Sequence, residues 1–350
     1  MGPTGNTRVL QIHPTRRCNL RCRHCYSSSS PDERDMLDVA LIFSAIDDAE
    51  QLGYNWISFS GGEPLLYRPL TTLLQHTKQR GLHTAIASNG MLLLPRQLDA
   101  IAPHLDLLAI SVDGTPASHN EIRNHDRAFE IMASHLDAVR ERGIPFGFIF
   151  TLTQFNLHEL QWVVEFALAQ GAQSLQIHPL DEVGHASEQM RGAAPDAVET
   201  AYAWLLSQRL QTAVGQKLAI QIDLIYSEAL KANAQHFYAA HEESNADKPL
   251  AHLLAPLIIE SDGAVVPMQY GFPRQYGLGQ LGRESLLSMA VRWRSNTMHS
   301  FYALCQRSYD ATCNDTTPRF LSWYDTIANM ARRETMVVER DVNRVAFNLR

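Results

Sequence analysis

Three of the five cysteines in this 350-residue chain fall within eight positions, as Cys18, Cys22 and Cys25 in the stretch RRCNLRCRHCY. Thiolates are soft ligands that select zinc or iron-sulfur clusters. A tetrahedral zinc site takes four ligands, and His24 offers a nitrogen, although adjacent His24 and Cys25 converge poorly on one ion. A four-iron cubane normally takes four cysteines, so three leave one iron with an open position, which suits a cluster that does chemistry rather than one that only carries electrons. An odd cysteine count in a chain large enough to bury its own core argues for a reducing compartment rather than a disulfide framework.

Three later stretches offer polar groups at short spacing. In SGGEPLLY, residues 60–67, Gly61 and Gly62 permit close backbone approach, Glu63 is a carboxylate able to bind an ammonium group, and Pro64 stiffens the turn. The same residues also read as an ordinary strand-to-helix turn with its carboxylate at the helix N-terminus. ASNG, residues 87–90, presents Ser88 and Asn89, and ISVDG, residues 110–114, presents Ser111 ahead of SHNEIRNHDRAF with Arg123. The planar fork of an arginine can take a carboxylate in two-pronged fashion, but Arg123 alone reads as a solvated helix residue and Asp113-Gly114 as a turn. Asn156, in TLTQFN, reads as the cap of the helix that follows.

The Cys-x3-Cys-x2-Cys loop with Tyr26 after it resembles the signature of the radical S-adenosylmethionine (SAM) enzymes, and the SGGEP, ASNG and ISVDG turns are similar to that family's later signatures. The resemblance implies one [4Fe-4S] cluster on Cys18, Cys22 and Cys25, with SAM chelating the open iron. It implies cofactor-binding roles for Tyr26, for Gly61, Gly62, Glu63 and Pro64 (the amino group), for Ser88 and Asn89 (ribose or carboxylate), and for Ser111 and Arg123 (carboxylate). The implied reaction is reductive cleavage of SAM to methionine and a 5'-deoxyadenosyl radical, which takes a hydrogen atom from the substrate. An electron donor such as flavodoxin or ferredoxin goes with it.

These residues must be positioned by a scaffold, and the first half of the chain alternates short β-rich runs with longer segments of helical period. Strands are predicted at Val9 to His13, Trp56 to Ser60, His83 to Ser88, Leu107 to Val112, Phe146 to Thr151 and Ser174 to Pro179. Helices are predicted near Asp35 to Leu52, Pro69 to Arg80, Pro95 to Ala102, Ala117 to Arg142 and Leu157 to Gln170. The expected fold class is α/β, a partial (β/α)6 TIM-like barrel over residues 1–215, whose chemistry sits at the carboxyl ends of the strands. Residues 216–256 are expected to connect it to a small α+β auxiliary domain at 257–350. Lys217 to Tyr226 alternates like a strand, and His241 to Pro249 reads as an exposed linker. Asp262-Gly263 reads as the turn of a hairpin in LIIESDGAVVP, and helices are expected near Glu284 to Leu304 and Leu321 to Arg332.

Residues 257–295 resemble the SPASM/twitch-like auxiliary domain that many peptide-modifying members carry, except that Met268 stands where a ligand cysteine is expected. Cys305 and Cys313 alone cannot complete a second cluster, so the region is expected to be degenerate and cluster-free. Cys305 and Cys313, as hydrogen-atom donors, and His178, near a strand end, are weak catalytic candidates.

A formal charge of -7 with no basic stripe argues against DNA binding. The absence of an apolar run of about 18 residues and of a signal-like start argues against a membrane and for the cytoplasm. The auxiliary resemblance favours a ribosomally made peptide as substrate. A first strand beginning at Val9 leaves no room for an N-terminal leader-recognition domain, so a separate leader-peptide recognition protein is the expected partner. Two alternatives stay open: a small-molecule biosynthetic radical enzyme, and a non-catalytic iron-sulfur or zinc protein.

Overall fold

The computed structural model describes residues 7–233, 248–313 and 320–348. Seven parallel strands lie side by side: β1 (Val9–Ile12), β2 (Trp56–Phe59), β3 (His83–Ser88), β4 (Leu107–Ser111), β5 (Phe146–Leu152), β6 (Ser174–Pro179) and β7 (Ala219–Ile222). The predicted six are all present. The run predicted from Lys217 breaks at Asp223, and its first part, in the segment expected to be a connector, joins the sheet as β7 beside β6. Its remainder is a separate short strand, β8 (Ile225–Tyr226).

Helices cover the outer face: α1 (Val39–Gln51), α2 (Leu70–Gln79), α3 (Pro95–Ile101), α4 (Pro116–Arg123), α5 (Ala128–Ser134), α6 (Leu136–Glu141) and α7 (Leu160–Gln170). The start of α1 is fixed by Asp38, whose carboxylate accepts the Ala40 N–H, and Ile42, Ala45, Ile46 and Ala49 form its buried stripe. The single helix expected over Ala117 to Arg142 is three helices: Asn124 adopts a left-handed conformation (φ 53°) that ends α4 and leaves Arg123 at its last turn, and a second break at His135 separates α5 from α6. Beyond β6 come α8 (Ala186–Gln189), α9 (Ala197–Val214), α10 (Ser227–Ala232) and α11 (Leu250–Leu253). The linker expected at His241 to Pro249 lies, up to residue 247, outside the described residues.

The C-terminal hairpin, β9 (Leu257–Ile259) and β10 (Ala264–Pro267), continues the same sheet: β9 pairs in parallel with β1, and the His13 N–H donates to Ile259 O at 2.8 Å. Its turn spans Glu260 to Gly263, with Gly263 alone at positive φ. The sheet's edge is β11 (Gly279–Gln280). The helix expected near Glu284 to Leu304 is two, α12 (Leu286–Asn296) and α13 (Met298–Thr312), and β12 (Phe320–Leu321), paired with β8, leads into α14 (Trp323–Asn348). One apolar core joins the barrel to α12, α13 and the start of α14.

Alternation along each strand sorts the side chains into two faces. Leu10, Ile12, Ile57, Phe59, Leu108, Ile110, Phe148, Phe150, Leu175 and Ile177 are buried in that core. Register then puts the intervening residues on the inner face: Gln11 beside Ser58, Ser111 beside Ile149, Thr151 beside His178, and Gln176 beside Gln221. The inner face thus carries polar groups towards the carboxyl ends of the strands, with Ile149 beside Ser111.

Candidate active site at the barrel mouth

Because β1 to β7 are parallel, the loops after them share one end. The cysteine loop leaves β1 and is locked to the turn after β2 by backbone hydrogen bonds, Gly62 N–H to Thr15 O (2.8 Å) and Glu63 N–H to Arg17 O (3.0 Å). This contact explains the glycine pair. A Cβ on Gly62 would lie 2.2 Å from Arg17 O, and Gly61 sits at φ +112° with Thr15 O 2.7 Å from where its Cβ would be. The close approach expected between these glycines and a ligand is made, first of all, with the cysteine loop.

Each thiol on that loop has N–H neighbours. Cys18 Sγ receives Leu20 N–H (3.4 Å) and the Asn89 side-chain amide (3.8 Å), Cys22 Sγ receives Arg123 Nη1 (3.8 Å), and Cys25 Sγ receives Ser29 N–H (3.3 Å). Burial pushes the Cys18 thiol up to about 12 and the Cys22 thiol up to about 11, the latter against the pull of Arg123, so a bound cation must drive their deprotonation. Among the described residues no three His, Cys, Asp or Glu side chains come together as ligands of a single ion. His24, the nitrogen a zinc site would need, faces Asp113 instead (3.7 Å). Three thiols ringed by N–H donors fit an iron-sulfur cluster, whose sulfurs such donors stabilise, better than one zinc ion.

Glu63 is fully buried and accepts three sets of donors: Ser88 Oγ (3.0 and 3.1 Å), Asn89 N–H (2.9 Å) and Leu65 N–H (3.1 Å). Burial raises its carboxyl to about 7 in spite of them, so a neighbouring ammonium would be a favourable partner for the ionised form. Pro64 opens the single 3-10 turn that follows. Asn89 thus links the carboxylate to the Cys18 sulfur, bringing the cysteine, SGGEP and ASNG motifs into one network.

The fourth motif is organised by a residue read from sequence as a mere turn. Asp113 is fully buried, accepts Arg123 Nε at 2.6 Å and Thr151 N–H at 3.2 Å, and donates its own N–H to His119 Nδ1 at 3.1 Å. Burial alone would raise this carboxyl, but Arg123, His24 and His119 bring it down to about 2. Arg123 is accordingly no solvated helix residue: Asp113 holds its Nε edge and its Nη1 points to Cys22. Asp113 shares parity with Ser111 and so continues the inward row, a signal available in the sequence. Ser111 itself is half-buried at the end of β4. Asn156 does not cap the next helix; its amide donates to Asp113 O and Thr151 O and its oxygen accepts from Thr153, tying the β4 and β5 ends together.

Tyr26 lies beside this network, its phenol 3.5 Å from Ser60 Oγ and its ring edge-on to His13 and to Tyr270. Tyr270, which no sequence signal marked, comes from the C-terminal region and stacks on His13 at 4.9 Å. The preceding Met268 is buried in the core at φ 67° and occupies the position where a ligand cysteine was expected. Cys305 is fully buried in the middle of α13, and Cys313 caps that helix, so neither joins the mouth residues. His178 does: it ends the inward row on β6 and meets Asp223 after β7.

Residues 12–167 match the family model described as the Radical SAM superfamily. Among curated proteins, the chain is 30% identical over 156 residues to Fe-coproporphyrin III synthase of Methanosarcina barkeri, covering 43% of this chain and 39% of that one. It is 28% identical over 260 residues to PqqA peptide cyclase of Ruegeria pomeroyi, covering 72% and 65%. The chain spans about half or less of the length of the first curated relatives it matches. The fold is similar to that of Streptococcus suis SuiB bound to SAM, at TM-score 0.67 and 15% identity, covering 85% of this chain and 68% of that one. Motifs on four successive strand ends, their interlocked geometry and the family match agree that residues 12–167 form a Radical SAM domain, a superfamily whose cofactors are a [4Fe-4S] cluster and SAM.

Proposed function

We propose that this chain is a radical SAM enzyme that takes a hydrogen atom from a ribosomally made peptide, leading to a cross-link, an epimerisation or a related modification. The observation that carries this reading is the single buried network running from the Cys18 thiol through Asn89 to the Glu63 carboxylate. In this reading Cys18, Cys22 and Cys25 would hold the cluster, and Tyr26 with the turns after β2, β3 and β4 would hold SAM. When bound, these groups supply reductive cleavage of the sulfonium and, from it, a 5'-deoxyadenosyl radical. The rest is work of the chain's own residues. Glu63 accepts the ammonium of SAM beside Gly61, Gly62 and Pro64, while Ser88 and Asn89 hold that carboxylate in place. Asp113 fixes Arg123, whose remaining N–H groups, with Ser111, would hold the SAM carboxylate. The N–H donors around the thiols favour their ionised form.

A peptide substrate is supported by the reach of the similarities. The match to PqqA peptide cyclase extends over 260 residues, well past the cofactor-binding half, and SuiB has also been solved with its precursor peptide SuiA, at TM-score 0.65. A second reading, a small-molecule tetrapyrrole substrate, is favoured by Fe-coproporphyrin III synthase, but that match covers only 43% of this chain. The proposed partners are an electron donor such as flavodoxin or ferredoxin and a separate leader-peptide recognition protein, in the cytoplasm; no helix among the described residues is long and apolar enough to cross a membrane. The C-terminal region is read as an auxiliary domain without a cluster. The test is anaerobic cluster reconstitution, then reduction with SAM and the peptides encoded beside the gene. The expected result is 5'-deoxyadenosine and a mass change in one peptide; modification of a tetrapyrrole alone would favour the second reading.

A further inference from the structure

On the side of the lumen away from the cysteine loop, β6 and β7 end in a polar pair. His178 and Asp223 belong to the same inward-facing row as Ser111 and Thr151: Thr151 is in register with His178, and the Asp223 N–H donates to Ile177 O. Their side chains are each 40% exposed at the carboxyl ends of these strands. His178 Nδ1 lies 2.5 Å from Asp223 Oδ2, which makes Nδ1–H a donor to the carboxylate and leaves Nε2 as the free edge. Two C-terminal elements converge beside the pair. Arg332 of α14 and Gln269 both donate to Asp181, just after β6, at 3.1 and 3.2 Å. His178, Asp181, Asp223, Gln269 and Arg332 all lie beyond residue 167, outside the part shared with the family model.

We propose that His178, oriented by Asp223, is the substrate-anchoring residue of this enzyme, its Nε2–H donating to a backbone carbonyl oxygen of the peptide. The proposal rests on the peptide reading above. An imidazole whose Nδ1–H is engaged by a carboxylate presents a charge-assisted donor at Nε2 when protonated, and the complement of such a donor is an acceptor-only oxygen. Burial works against that protonation, but Asp223 and, from the first turn of α14, Asp325 outweigh it and raise the His178 pKa. The other charged groups around the pair, Asp181 and Arg332, neutralise one another. Thus the donor form extends to higher pH than for a free imidazole.

The test uses the cluster-loaded enzyme with SAM and the peptides encoded beside the gene as probes, comparing wild type with His178→Ala, His178→Gln and Asp223→Asn. All variants should retain the iron content and melting temperature of a folded, loaded protein. His178→Ala is expected to raise KM for the peptide about tenfold or more with a smaller change in kcat, and His178→Gln, whose amide supplies an N–H, to recover most of it. In wild type KM should rise as pH goes up through the imidazolium titration, and in Asp223→Asn that rise should move to lower pH. A wild-type KM in His178→Ala, or a pH profile unmoved in Asp223→Asn, overturns the assignment and leaves the proposed function standing. If wild type cleaves SAM but modifies none of the peptides, the peptide reading falls and this assignment with it; if it cleaves no SAM, the radical reading itself has failed.

Discussion

The barrel wall made by β1 to β4 and the wall made by β6 and β7 use the same inward positions in different ways. On the first, each functional group sits on a short motif, and neighbouring motifs clasp one another through backbone atoms, as Gly62 and Glu63 clasp Thr15 and Arg17. On the second, the groups are single side chains outside any such motif, joined side chain to side chain: His178 to Asp223, and Asp181 to Arg332. The first arrangement fixes a shape that any substrate can share. The second is made of side-chain pairs that can be exchanged without disturbing the cofactor wall, which is what recognition of one particular substrate requires.

That contrast is broken most severely at the clasp. Gly62→Ala drives a Cβ into Arg17 O, so the cysteine loop is expected to lose its seat and the reconstituted protein most of its iron, from about four per chain towards none, measured by iron assay and visible absorption. Next comes the buried pair under the loop. Asp113→Ala leaves the Arg123 charge unpaired and should destabilise the fold by about 3–5 kcal/mol, read as a fall in melting temperature. The corresponding change on the other wall, His178→Ala, should leave stability nearly untouched, since that side chain is partly exposed at a strand end.

Glu63 gives a smaller, pH-dependent effect. Its folded carboxyl titrates near 7 against an ordinary value of 4.5, so the folded state holds its proton more tightly than the unfolded one. Stability relative to Glu63→Gln is therefore greatest below about 4.5, declines as pH rises and is lowest above 7, by up to about 3 kcal/mol. Urea unfolding of the two cluster-free proteins at pH 5 and pH 8 measures the difference. The smallest effect is expected at Met268→Cys. A thiol there enters a closed apolar core, so iron content should stay at about four per chain, with a stability cost of about 1–2 kcal/mol.

The two walls were also unequally legible in the sequence. The cysteine spacing, the glycine pair and the polar residues after β3 and β4 could be read because close backbone approach and metal ligation demand particular residue types at fixed offsets. The strands were legible because their outward residues alternate. Asp113 was misread because a turn is the commoner use of Asp-Gly, although its parity with Ser111 pointed inward. Asp223, Tyr270 and the Arg332–Asp181 pair could not be read at all, since their meaning depends on register and on β9 docking beside β1. The single helix expected over Ala117 to Arg142 failed for local reasons, the left-handed Asn124 and the break at His135, which the helical period does not reveal.

The central claim is that the cysteine loop and the turns clasped to it carry radical chemistry. Its most direct test is deuterium transfer from a labelled substrate peptide into 5'-deoxyadenosine by the reduced, reconstituted enzyme. Transfer is expected in wild type and none when Cys18, Cys22 or Cys25 is replaced by alanine. Transfer that survives all three replacements, or a loaded wild-type enzyme that cleaves no SAM, would contradict it.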